Sequence, residues 1–269
     1  MARVPFSVNH YVSPGGMSLQ EFLDKARNSG FEAVGLTESA LRAQPPPALL
    51  AMLKARGLRV SSINTAGFFL QEGDAAREQE RRNAWLLEQA AGCAGSALNI
   101  IVGGSTALDL PDAREAAASG LAAFAREARR AGVQLVVEPL HFLNVRTKSC
   151  FNTIGQMEIL FDRVPDLMLN ADLYHLWWDP DLERLLSGDS VPIGLFQICD
   201  VAIPDGESVP RRVPLGEGFV PWVSHVRAVR RAFPTVPIEL ELFADQLPGR
   251  RLDDLLSDSS TLLSTLLEE

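Results

Sequence analysis

Apolar and polar positions along this chain follow two rhythms that take turns from one end to the other. Short apolar runs, read as strands, fall at Arg3–Asn9, Phe31–Leu36, Leu58–Asn64, Ala97–Val102, Val133–Val137, Leu167–Ala171, Pro192–Ile198 and Val236–Leu240. Between them the apolar residues recur three and four apart, which places them on one face of a helix. Ser18 caps the first such segment, with Leu19, Phe22, Leu23 and Ala26 on its apolar side and Gly30 at its end. Pro45–Pro47 opens a helix running to Gly57, and longer helices cover Ala75–Ala94 and Pro111–Ala131. Further helices are expected at Thr153–Arg163, at Pro180–Leu186 behind an Asp179 N-cap, at Phe219–Phe233 and at Leu252–Leu267.

Eight strand–helix units in 269 residues, with no composition break, predict a single-domain (β/α)8 TIM barrel over residues 1–269. Near-continuous apolar strands suit a parallel sheet buried on both faces. The competitor is a doubly wound open sheet. It would want a Gly-rich phosphate loop after the first strand, and VNHYVSPGG lacks the G-x-G-x-x-G pattern.

Composition narrows the partners. Lys+Arg 25 against Asp+Glu 34 gives a net charge of −9, which disfavours nucleic acid or an anionic membrane surface as the main partner. Cys93, Cys150 and Cys199 show no CxxC spacing and read as reduced, packing thiols. The opening MARVPFSVNHYV lacks the apolar core of a signal peptide, and no run approaches membrane-spanning length. A soluble, cytoplasmic protein is expected. The leucine-rich last helix could pack on its own barrel or on another subunit, so a homo-oligomer stays open.

In such a barrel the C-terminal ends of all eight strands surround one mouth. Reading only those ends collects Asn9, His10, Glu38, Asn64, Glu138, His141, Asp172, His175, Gln197, Asp200, Glu239 and Glu241. Burying several carboxylates together is unfavourable unless a cation or protons compensate. A divalent metal held by Glu138, Asp172, Gln197 and Glu241 would do so, and four oxygen ligands suit Mn2+ or Mg2+. Glu239 and Glu241 point the same way along their strand. Glu241 lies nearer the mouth and is the expected ligand; Glu239 is expected deeper, in a structural ion pair. His141 and His175 each stand three residues beyond a proposed ligand. They could bind substrate hydroxyls or shuttle protons, or hydrogen-bond a metal-bound carboxylate instead. The long polar loop DVAIPDGESVPRRVPLGEG reads as a substrate cover, from which Arg211 or Arg212 reaches the substrate or else stays an exposed pair.

With these residues laid out, the chain resembles the sugar phosphate isomerase/epimerase family, the xylose-isomerase-like barrels. The resemblance rests on VEPLH (137–141), DLYHLWWDPDL (172–182), QICD (197–200), R-x-x-x-G-E-G (212–218) and IELELF (238–243). It implies Glu138, Asp172 and Glu241 as metal ligands with a fourth at the end of strand seven, where the family usually has His and this chain has Gln197. It also implies that His175 and an arginine before the G-x-G turn touch substrate. Counting back from Gly216 selects Arg212, with Arg211 the fallback because Pro214 is shifted from the usual pattern. The chain departs again at Val201, where the family often has an aromatic. The implied reaction is metal-assisted proton transfer next to the carbonyl of a keto-sugar or related polyol. An enediolate would be the intermediate, with Glu138 and Glu241 as base and acid. Three rivals follow. One is a lyase or dehydratase on the same barrel. A second is an endonuclease for abasic DNA sites, disfavoured by four histidines and the acidic charge. The third is a sugar-binding or partner barrel without chemistry, which Gln197 keeps in play.

Overall fold

The computed structural model describes residues 6–105 and 107–268, with side chains as far as 266. The strands among them are β1 (Phe6–Asn9), β2 (Ala33–Thr37), β3 (Arg59–Gly67), β4 (Ala97–Ile101), β5 (Gln134–Val137), β6 (Met168–Asp172), β7 (Ile193–Ile198), β8 (Asp200–Ala202), β9 (Arg211–Val213) and β10 (Ile238–Leu240). Eight of them close into a parallel barrel, from β1 through β7 in order and back to β1 by way of β10. Residues 3–5 of the first expected strand lie outside the described residues.

Each outer helix lays one apolar stripe on the barrel. The helix Leu19–Asn28 buries Leu19, Phe22, Leu23 and Ala26, and its Ser18 cap accepts from the Glu21 amide at 3.2 Å. The helix Pro46–Arg56 stops at Gly57, whose φ of +63° lets the chain reverse. The last helix, Leu252–Glu268, buries Leu255, Leu256 and Leu263 against its own barrel, and Asp253 there pairs with Lys25 at 2.8 Å. Among the described residues no helix is long and apolar enough to cross a membrane. All three cysteines are free and buried.

The inside of the barrel differs from the apolar strands expected. Only its base is apolar, where Ala97, Val136 and Leu195 pack with Met168 apart from the main core. Above that plug the inward positions are polar. Ser7 and Ser61 touch at 2.5 Å, and Ser62 of β3 reaches Glu239 of β10 across the interior at 2.9 Å. Strand alternation explains the pattern, since Leu169 and Ala171 face the helices while Asn170 and Asp172 face inward. Gly35 makes room for this layer: a Cβ there would lie 2.6–2.7 Å from both Glu239 carboxylate oxygens.

Two further departures concern the mouth. A short helix, Glu38–Ala43, was not expected; Thr37 caps it by accepting from the Ala40 amide. It carries Glu38 away from the mouth to pair with Arg42 at 2.8 Å and Arg82 at 2.5 Å. The loop after β7 also contains an antiparallel hairpin of β8 and β9, with Val201 opposite Arg212.

Candidate active site

Register brings the acidic residues together. Asp172 on β6 pairs with Gln197 on β7, which pairs in turn with Glu239 on β10. Glu138 and Glu241 each stand one residue beyond the end of β5 and β10, a step nearer the mouth. All five are buried.

The cation among them is Arg212. Alternation along β9 turns Arg211 to solvent, where it pairs with Glu207 at 2.7 Å, and turns Arg212 inward. Its guanidinium donates to both oxygens of Asp172, Nη1 to Oδ1 at 3.1 Å and Nη2 to Oδ2 at 2.6 Å. Nη2 also lies 2.8 Å from Oε2 of Glu241, and Nη1 lies 3.6 Å from the Cys199 Sγ. The rings of Tyr174 and Phe243 lie 4.3 and 5.0 Å from the guanidinium carbon. The Tyr174 hydroxyl donates to the Pro210 carbonyl at 2.9 Å, tying down the hairpin that delivers the arginine.

One layer deeper, no cation among the described residues pairs with Glu239. Its Oε1 accepts from Asn9 (2.8 Å), Gln197 (2.9 Å) and Ser62 (3.0 Å); its Oε2 accepts from Ser61 (2.6 Å), Ser62 (2.9 Å) and Ser7 (3.3 Å). The expected ion pair is replaced by a cage of neutral donors. That cage orients Gln197, whose NH2 group donates to Glu239 and, at 2.9 Å, to Oε1 of Glu241. Its carbonyl is turned the other way, accepting from Asn170 at 2.6 Å.

Glu138 faces His175. Its Oε2 accepts from Asn99 at 2.6 Å, and its Oε1 lies 3.6 Å from the His175 Nε2. The His141 amide donates to the His175 Nδ1 at 3.0 Å. Nδ1 must therefore keep its lone pair, and the neutral ring carries its proton on Nε2, aimed between Glu138 and Asp172. Burial lowers His175 to about 3, with Asp172 opposing, so these contacts are between a neutral ring and carboxyl groups rather than ion pairs.

Burial, then the charge of Asp172, pushes Glu138 up to about 8. Glu241 is raised well above the carboxylate range by burial and by Asp172, Glu138 and Glu239, against the pull of Arg212. Burial acts on Asp172 in the same sense and is the largest single effect, but the charge and hydrogen bonds of Arg212 together with His175 and the Tyr174 amide hold Asp172 low. One guanidinium cannot neutralise three buried carboxylates, so the rim retains protons at neutral pH.

Several strand-end residues serve the scaffold instead. Asp200 clamps the loop after β7: its carboxylate accepts from the amides of Val201 (2.8 Å), Gly216 (3.1 Å) and Val220 (3.1 Å). Gly218 passes so close that a Cβ there would lie 2.3 Å from Asp200, which accounts for the second glycine of the G-E-G motif. His10 hydrogen-bonds Thr37 at 2.9 Å and stacks edge-on against Phe22. Asp179 does not cap a helix at Pro180; that helix begins at Leu182, and Asp179 accepts from the Ile154 amide at 2.7 Å. Asn99 and Asn170 were missed, although an Asn inside the apolar runs ALNII and MLNAD marks an inward polar position.

A sequence profile described as xylose isomerase-like TIM barrel matches residues 23–264, most of the chain. The chain belongs to the xylose isomerase-like TIM barrel family. This xylose isomerase-like barrel is similar to the crystal structure of protein SMc04130 from Sinorhizobium meliloti 1021. The two share 25% identity and a TM-score of 0.86, over 97% of this chain and 98% of that one. It shares its fold with the IolI protein carrying a zinc atom (15% identity, TM-score 0.81, 98% of each chain). It also shares its fold with D-allulose 3-epimerase from Methylomonas sp. in complex with D-allulose (16%, TM-score 0.76, 98% and 97%). No curated protein sequence matches the chain.

Whether this xylose isomerase-like barrel suits a divalent ion depends on its donors. Ligand atoms of Glu138, Asp172 and His175 lie within 4.8 Å of one another, so by size the cluster could bind a metal ion. The hydrogen bonding opposes it. Both Asp172 oxygens and Oε2 of Glu241 are on Arg212. Gln197 offers its NH2 rather than the carbonyl expected as a ligand, and the His175 Nε2 holds a proton where a metal needs a lone pair. As arranged, the donors do not fit a divalent ion.

Proposed function

We propose that the barrel moves a proton next to the carbonyl of a small keto-sugar or related polyol, as an isomerase or epimerase, with Glu138 and Glu241 as its acid–base pair. The observation that carries this is the placing of two buried carboxyls, Glu138 and Glu241, each one residue beyond its strand at the C-terminal mouth, where burial raises the proton affinity of both. Neighbouring carboxyls that compete for protons supply an acid and a base. One carboxylate takes the C–H proton beside the carbonyl, leaving an enediolate. The other carboxyl holds a proton on the opposite side. If it gives that proton to the opposite face of the same carbon, an epimer forms. If the first carboxyl returns its proton to the neighbouring carbon while the hydroxyl proton passes between the two oxygens, an isomer forms. His175, with its fixed Nε2–H, and His141 beside it bind substrate hydroxyls. The likeness to a D-allulose 3-epimerase supports a sugar as substrate.

The test is incubation with a panel of ketopentoses and ketohexoses in D2O. Deuterium should enter the position next to the carbonyl with no other change of mass, and Glu138→Gln and Glu241→Gln should each slow exchange about 10²–10⁴-fold. Loss of water would make the barrel a dehydratase. Absence of exchange from every sugar would remove the reading.

A further inference from the structure

We propose that the Arg212 guanidinium stands where the family resemblance expects a divalent ion, so that this barrel carries its compensating cation on its own chain. The inference rests on the site proposed above but not on its chemistry. Three observations converge. First, the guanidinium takes both oxygens of Asp172 and one of Glu241, two of the carboxylates a metal would need. Second, the cation is built in: Arg212 is 3% exposed, lies against Tyr174 and Phe243, and sits on a hairpin that Tyr174 ties down. Third, Gln197, at the place where the family usually has His, turns a hydrogen-bond donor to Glu241.

The third point is enforced from below. Rotating the Gln197 amide would set its carbonyl against the Glu239 carboxylate, which Asn9, Ser61 and Ser62 hold in place. An ion entering this rim would meet a guanidinium, an amide NH2 and an imidazole N–H. Glu138 alone keeps a carboxylate free of Arg212 and Gln197, and one carboxylate does not make an all-oxygen site for Mn2+ or Mg2+.

The measurement is metal content and thermal response, neither of which needs turnover. After dialysis against EDTA and then 1 mM MnCl2 or MgCl2, the wild-type chain should hold far less than one equivalent by elemental analysis. Its melting temperature should be the same in EDTA and in MnCl2. Arg212→Met, which keeps an apolar filling between Tyr174 and Phe243, should take up about one Mn2+ and melt higher with it. A wild-type chain that retains one divalent ion, or that Mn2+ stabilises as much as it does the variant, would overturn the proposal. If Arg212→Met does not fold, the wild-type metal content and melting response still decide. A metal-free wild type without deuterium exchange would leave this inference standing and remove the proposed reaction.

Discussion

Glu239 of β10 and Glu241, one residue past its end, both turn toward the Gln197 amide, yet the barrel treats them in opposite ways. Glu239 is fully enclosed and held by six hydrogen bonds from three serines, an asparagine and a glutamine. Glu241, one layer higher, shares a single guanidinium with Asp172 and has the carboxyl of Glu138 as a neighbour. The lower carboxylate is satisfied by fixed neutral dipoles. The upper one competes for a cation and for protons, the condition under which a carboxyl gives and takes a proton. Three consecutive residues at a strand end thus carry an anchor and a reactive group, and the difference lies in their neighbours.

The largest break in this contrast should come from Arg212→Ala. It leaves Asp172 and Glu241 buried without their cation, and removing one partner of a buried pair costs about 3–5 kcal/mol. Urea unfolding should show that loss; an unchanged midpoint would mean the rim does not depend on the arginine.

A pH series on Glu138 sharpens the comparison next. Its affinity rises from 4.5 in the unfolded chain to about 8 in the folded one. Its contribution is therefore complete below about pH 4.5 and is lost as pH rises through 8, because the folded state must then give up a proton it holds tightly. The stability advantage of wild type over Glu138→Gln should shrink by up to a few kcal/mol between about pH 5 and 9. A constant difference would show that Glu138 titrates normally.

The smallest effect separates Glu239 and Glu241 directly. Glu239→Gln puts an NH2 group into a cage built of donors and should lower stability by about 1–3 kcal/mol. Glu241→Gln puts a neutral group of the same shape into an over-acidic rim and should change stability less than Glu239→Gln while slowing deuterium exchange. Equal effects of the two substitutions on stability would erase the distinction.

Much of the barrel was legible along the chain because its signals are local. Apolar period and capping residues lie within a few positions of one another, and strand ends indicate the mouth. That reasoning placed Glu138, Asp172 and Glu241 at one rim, where the structure brings them together. It failed where the deciding contact is distant. Glu38 reads as a strand end, but Arg82, on another helix, draws it outward. Arg211 and Arg212 are alike until the hairpin pairing of Val201 with Arg212 sends one to solvent and the other inside.

The linear order of residues was enough for the eightfold alternation, the absence of a phosphate-binding glycine loop and the choice of strands that end in carboxyls. Each of these follows from steric and hydrophobic preferences acting over less than one strand–helix unit. The direction of the Gln197 amide, the tautomer of His175 and the identity of the cation between Asp172 and Glu241 were settled only in three dimensions. Each depends on a hydrogen bond or ion pair between residues tens of positions apart, whose meeting no periodicity records.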